Sequence, residues 1–87
     1  MSNKLILDRP LGDKLKHYRR LKGFTQMDVV RAANLLGSEM SESTYSKIEQ
    51  GSRNIFVSDL VILKIVLKFR YEDLFRDIED SMIKSTE

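Results

Sequence analysis

The chain has 87 residues, 41% hydrophobic and 32% charged, with a net charge of +2, which fits one small globular domain whose marginal core gains from helical packing or dimerisation. Cysteine is absent and His17 is the single histidine, which excludes disulfides, thiol catalysis and thiolate metal sites and leaves histidine metal clusters or a Ser-His-Asp site implausible. No apolar run approaches the roughly 20 residues of a membrane span, and Leu5-Ile6-Leu7 is too short for a secretory-signal core, so the expectation is a cytoplasmic, non-enzymatic chain with no metal, cofactor or small-molecule ligand.

The first ten residues read two ways, as an extended arm that packs Leu5-Ile6-Leu7 on the body or as a frayed terminus. Pro10 can begin a helix, and Leu11, Leu15 and Tyr18 recur at helical spacing before Gly23; this is helix one. Thr25 can cap helix two, with Val29, Val30, Ala33 and Leu36 on one side before Gly37. Ser41 can cap helix three, which turns Tyr45 and Ile48 inward and stops at Gly51. Helix four runs from Val57 to Lys68, and helix five from Tyr71 past Ile78. No segment sustains a period of two, so no strand is expected. The fold class is all-α: five short helices in one compact unit.

Charge is unevenly spread. Residues 1–53 hold ten Lys/Arg against six Asp/Glu, and residues 54–87 hold five against seven, so a basic first part (+4) joins a mildly acidic second part (−2). That asymmetry suits a face made for a polyanion, although an ordinary solvated helix surface would look similar.

Helix three is the informative segment. At about 100° per residue, Ser43, Ser46, Lys47 and Gln50 point outward, opposite Tyr45 and Ile48. Apart from Lys47 this face is short, polar and uncharged, unlike a solvated face laced with Lys and Glu pairs. Short hydrogen-bonding groups suit a helix whose backbone must approach the edges of base pairs in the major groove. Glu49 falls on the inward side, within about 40° of Tyr45. A buried carboxylate needs a hydrogen-bonded cation, and Arg19 lies on the flank of the helix-one stripe. A partly buried Arg19–Glu49 pair would clamp helix one to helix three; the alternative is that both side chains reach water from a loosely packed edge.

The run Phe24-Thr25-Gln26, then Val29-Val30, then Met40-Ser41-Glu42-Ser43-Thr44-Tyr45-Ser46-Lys47-Ile48-Glu49-Gln50-Gly51 and Arg53 resembles the helix-turn-helix of lambda-repressor-like (Cro/C1, or XRE-type) DNA-binding proteins. The likeness continues through Asp59-Leu60 and Glu72-Asp73-Leu74-Phe75 and so covers residues 11–75. It implies an N-terminal arm over 1–10, a helix-turn-helix domain over 11–75, and a C-terminal helix extension and tail over 76–87. It further implies that Glu42, Ser43, Ser46 and Lys47 face the bases. Backbone phosphate would be held by Gln26, Arg53 and the amides after Gly51, with Thr25, Ser41, Thr44, Ser52 and Asn54 as further phosphate candidates. Arg19 and Glu49 match the family's internal ion pair. Three features depart from the family pattern. The connection between helices two and three is longer, by the segment Leu35-Leu36-Gly37-Ser38-Glu39. Glu42 stands where Arg, Gln or Lys is common, and can either accept from cytosine N4 or repel phosphate. Lys64 and Lys68 stand where the family has Ala and Gly.

Two functions compete. One is a sequence-specific regulator of double-stranded DNA, most simply a repressor, controlled by abundance, oligomerisation or an unidentified regulatory protein. The other is an antitoxin-like protein-interaction module on the same fold, which Glu42 and the acidic final third would suit. A homodimer is expected from helix four. Val57, Leu60, Leu63 and Leu67 can supply its core face, which leaves Ile62, Ile65, Val66 and Phe69 to be covered. Two internal segments could cover them, the Leu5-Ile6-Leu7 arm and a helix five carrying Leu74, Phe75, Ile78 and Met82 at near-helical spacing; the external candidate is the same surface of a second copy. The expected contact residues are Ile62, Ile65, Val66, Phe69, Ile78 and Met82.

Overall fold

Helix starts and stops follow the local chemistry. The structure, a computed structural model, describes residues 4–5 and 9–86. Its helices are α1 (Arg9–Leu21), α2 (Gln26–Leu35), α3 (Glu42–Gln50), α4 (Val57–Leu67) and α5 (Tyr71–Thr86). Thr25 caps α2 in a reciprocal box, its hydroxyl accepting from the Asp28 amide at 3.0 Å while Asp28 Oδ2 accepts from the Thr25 amide at 2.8 Å. Ser41 caps α3 by accepting from the Thr44 amide at 3.1 Å, and Gly51 ends that helix in the left-handed region at φ 76°. At the end of α4, Lys68 takes the same left-handed turn at φ 57°. A glycine adopts it freely, whereas a side chain strains it.

The architecture is all-α, with one addition. Lys4–Leu5 (β1) pairs antiparallel with Ile55–Phe56 (β2), Lys4 opposite Phe56 and Leu5 opposite Ile55. This pairing ties the start of the chain to the α3–α4 connection. Two residues are too few to show alternation in sequence, which is why no strand was expected. Of the expected arm, Ile6 and Leu7 lie outside the described residues.

Leu15, Val29, Tyr45, Ile48, Leu63 and Leu74 form the centre of the core, all essentially inaccessible. Helix α1 lies against α3 and α5, and α2 against α3 and α4. Gly12 makes the α1–α3 approach possible: a Cβ there would meet the carbonyl oxygen of Ile48 at 2.7 Å and that of Glu49 more closely still. Only a residue without a side chain fits between two helix backbones that near.

Three apolar residues sit elsewhere than the periodicity suggests. Leu36 is 48% exposed, because α2 ends one residue earlier and the chain turns out through Gly37. Val57 is 51% exposed and begins a stripe with Val61 and Ile65, while Leu60, Leu63 and Leu67 face the core. Phe69 is buried, stacked on the Tyr18 ring with centroids 4.8 Å apart and edge-on to Tyr71, so it belongs to the core and is removed from the dimer-contact set. Helix α4 is apolar on most sides, so its spacing selects a face only weakly.

Helix α5 runs unbroken from Tyr71 to Thr86, across the boundary placed after residue 75. Lys14 and Asp77, 3.6 Å apart, bridge α1 to its middle.

A candidate nucleic-acid interface

The outward face of α3 is formed as its sequence spacing requires. Glu42, Ser43, Lys47 and Gln50 are exposed, Ser46 is half-buried, and Tyr45, Ile48 and Glu49 are buried. The four base-reading candidates therefore share one helix, with Glu42 in its first turn. Gln50 Nε2 reaches the Ser46 hydroxyl at 3.4 Å, the long limit for such a bond.

Behind that face, α3 is held by charge. Arg19 Nε donates to Glu49 Oε2 at 2.7 Å and Nη2 to Oε1 at 3.1 Å, a two-pronged contact between side chains 11% and 3% exposed. Arg19 Nη1 also donates to the Phe24 carbonyl at 2.9 Å. Burial alone would raise the Glu49 pKa; the bonds from Arg19 and from the Gln26 amide outweigh it and hold the carboxyl below its ordinary value. The Tyr45 hydroxyl lies in this node without a well-formed hydrogen bond among the described residues, and burial beside Glu49 pushes its pKa up.

The backbone-phosphate candidates divide into two groups. Arg53 and Asn54, exposed on the turn after α3, carry no ion pair or side-chain hydrogen bond among the described residues, so their donors are open. The others already have partners. Ser41 donates its hydroxyl to Thr44 Oγ1 at 3.0 Å while capping α3, Ser52 donates to the Lys47 carbonyl at 3.3 Å, and Thr25 caps α2. Gln26 donates through Nε2 to Glu49 Oε1 at 3.1 Å. These residues shape the helix ends: the Thr25 and Ser41 hydroxyls accept from the Asp28 and Thr44 amides, and Asp28 and Glu42 set a carboxylate in the first turns of α2 and α3.

Sequence reasoning missed the group that fixes the long α2–α3 connection. Asn34 Nδ2 donates to the carbonyls of Ser38 and Met40 at 2.9 and 3.1 Å. The buried Ser38 hydroxyl donates to Asp59 Oδ1 at 3.0 Å and accepts from the Met40 amide at 3.1 Å. An asparagine at a helix end ahead of Gly37 was a usable turn signal. The reach to Asp59 in α4 had none. Between this connection and the α3–α4 turn lies a groove of about 510 Å³, bordered by Ser38, Glu39, Thr44, Arg53, Asn54 and Ser58.

Among the described residues no group of three His, Asp or Glu side chains could hold a metal ion, and no helix is long and apolar enough to cross a membrane.

A family model described as a helix-turn-helix domain matches residues 10–66. Among solved structures, a tyrosine-to-phenylalanine mutant of the restriction-modification controller protein C.Esp1396I is similar, with a TM-score of 0.71 and 24% identity, over 87% of this chain and 90% of that one. At that identity the likeness is one of fold. No curated protein matches the chain.

Proposed function

We propose, from the premise that this chain belongs to the helix-turn-helix domain family, that it is a sequence-specific regulator of transcription which represses by occupying double-stranded DNA. DNA binding and regulation are the general role of such domains, and a non-enzymatic cytoplasmic protein is the corresponding reading. The observation that carries it is the exposed face of α3, where Glu42, Ser43 and Lys47 stand clear of the body with the open donors of Arg53 and Asn54 on the next turn. Helix α3 enters the major groove, Glu42, Ser43, Ser46 and Lys47 read base edges, and Arg53, Asn54 and the start of α2 set register on phosphates.

The regulator acts as a homodimer. Val57, Val61 and Ile65, one helical turn apart along α4, are each at least 39% exposed, and Phe75 and Met82 on α5 are 51% and 59% exposed. Of the contacts expected from sequence, Ile65 and Met82 remain in the exposed set, whereas Ile62, Val66 and Ile78 are half-buried against the core. A second copy covering these stripes pairs two reading helices on a two-fold symmetric site. Selection of bound duplexes from a random pool tests the reading. A recovered motif with two inverted halves supports it, and recovery of no motif contradicts it.

A further inference from the structure

Met40, the last residue before the Ser41 cap of α3, is held at both backbone groups and by its side chain. Its amide donates to the Ser38 hydroxyl at 3.1 Å, its carbonyl accepts from Asn34 Nδ2 at 3.1 Å, and its side chain is buried in the core. Ser38, 7% exposed, is equally engaged. Its amide donates to the Ala33 carbonyl at 3.1 Å, and its carbonyl accepts from Asn34 Nδ2 at 2.9 Å. One bond of this group leaves the connection: the Ser38 hydroxyl donates at 3.0 Å to Asp59 Oδ1, in the first turn of α4.

Helix α3 therefore has two anchors. Its last turn is fixed to α1 through Glu49 and Arg19, and its start is fixed to α4 through Met40, Ser38 and Asp59. A helix of nine residues is about 14 Å long, so its tilt follows from where its two ends are held. Packing does not replace the second anchor. The groove of about 510 Å³ borders Ser38, Met40, Thr44 and Asp59, which leaves room for the start of α3 to swing once the hydroxyl bond is gone. Asn34 and the backbone already close the turn, so the hydroxyl is not needed to form it. Its distinct effect is the reach across 21 residues to α4. Buried polar groups that are fully paired, as in Ser38 and Met40, hold a single geometry.

We propose that Ser38 and Asp59 are positioning residues for base reading: their hydrogen bond sets the start of α3 against the body, and with it the base edges that Glu42 and Ser43 face. This rests on the DNA-binding reading above. A hydrogen bond to a base edge is lost when donor and acceptor separate by about half an ångström beyond their usual distance. A swing about the Glu49 end displaces the first turn of α3 most, and Lys47, two residues from that anchor, least. The long connection between α2 and α3 is then a device that sets specificity.

The test is selection of bound duplexes from a random pool by the wild-type protein, Ser38→Ala, Asp59→Ala, their double variant and Asp59→Asn, which keeps an acceptor for the hydroxyl. Glu42→Ala, Ser43→Ala and Lys47→Ala, selected in the same way, assign the base positions read by each end of α3. Ser38→Ala and Asp59→Ala each relax discrimination about fivefold at the positions of Glu42 and Ser43 and leave the Lys47 position unchanged. The double variant relaxes it no further, and Asp59→Asn keeps the wild-type preference. Equal relaxation at all positions overturns the proposal, because a residue that only stabilises the fold affects both ends of α3 together. Additive losses in the double variant, an Asp59→Asn as relaxed as Asp59→Ala, or no position assigned to Glu42 or Ser43 overturn it as well. If the alanine variants do not fold, Asp59→Glu replaces them: it keeps the charge and carries the acceptor one methylene further. The same local relaxation is expected, and an unchanged motif overturns the proposal. A wild-type protein that recovers no motif overturns the DNA-binding reading and this proposal with it, whereas a wild-type motif shared by Ser38→Ala and Asp59→Ala overturns the proposal alone.

Discussion

Glu49 is the residue on which both stability and the proposed interface converge. Its carboxylate is buried, and removal of either partner leaves a charge in the interior with no counter-ion. Arg19→Ala and Glu49→Ala should each cost about 3 kcal/mol, and the double replacement less than the sum. Denaturant unfolding of the four proteins checks this; small additive losses would mean that the pair contributes little. The carboxyl ionises more readily in the folded chain than in the unfolded one, where its value is near 4.5. The stabilisation is therefore complete above that pH and is lost as the pH falls through the lower folded value, so Glu49→Gln should show the flatter acid limb. On the surface, Arg53→Ala should weaken specific and random duplexes alike and flatten the salt slope by about one unit. Lys47→Ala should instead change the preference among sequences. Salt-dependent binding titrations on both duplex types separate the two roles, and a uniform loss for Lys47 would make it a phosphate contact. The Arg19–Glu49 pairing was legible because a carboxylate on the inward face of an amphipathic helix demands a cation. The bond from Gln26 was not, because nothing in spacing reports a contact across 23 residues between two helices.

At the scale of elements, the helix starts were readable from Thr25 and Ser41, since an N-cap is a local interaction spanning three residues. The inner face of α4 was readable in part: Leu60, Leu63 and Leu67 are buried as their spacing suggests. Val57 is exposed, which a helix apolar on most sides offers too little contrast to show. Phe69 is buried because it lies past the helix end, beyond the left-handed turn at Lys68. Lys68 shows what a local rule predicts when tertiary structure overrides it. It holds the left-handed end of α4 at φ 57° with a side chain that disfavours it. Lys68→Gly should stabilise the fold by up to about 1 kcal/mol, because relief of the left-handed strain exceeds the added flexibility of the unfolded chain. Thermal unfolding reads the gain, and a loss would show that the Lys68 side chain contributes packing worth more than the strain. Lys64, the other departure in this region, has its ammonium 5.2 Å from the Tyr71 ring centroid, a contact an alanine could not make.

At the scale of the whole molecule, five helices leave one unresolved demand, the apolar stripes of α4 and α5. At micromolar concentration the wild-type protein should sediment as a dimer and Ile65→Asp as a folded monomer, with circular dichroism as the folding control. A folded Ile65→Asp dimer would move the contact elsewhere. Dimerisation matters to the account because one short helix reads only a few base pairs, and paired half-sites give the specificity a regulator needs. Overall helical architecture was legible from punctuation and periodicity, while the β1–β2 pairing was not, because two residues carry no pattern. In the proposed function, the exposed face of α3 reads DNA sequence. Selection from a random duplex pool with the wild-type protein and Lys47→Ala tests it most directly. An inverted-repeat motif is expected for the wild type, with altered preference at one position of each half-site for the variant; an identical motif from both proteins would remove Lys47 from the reading set, and enrichment of no motif by the wild type would overturn sequence reading by α3.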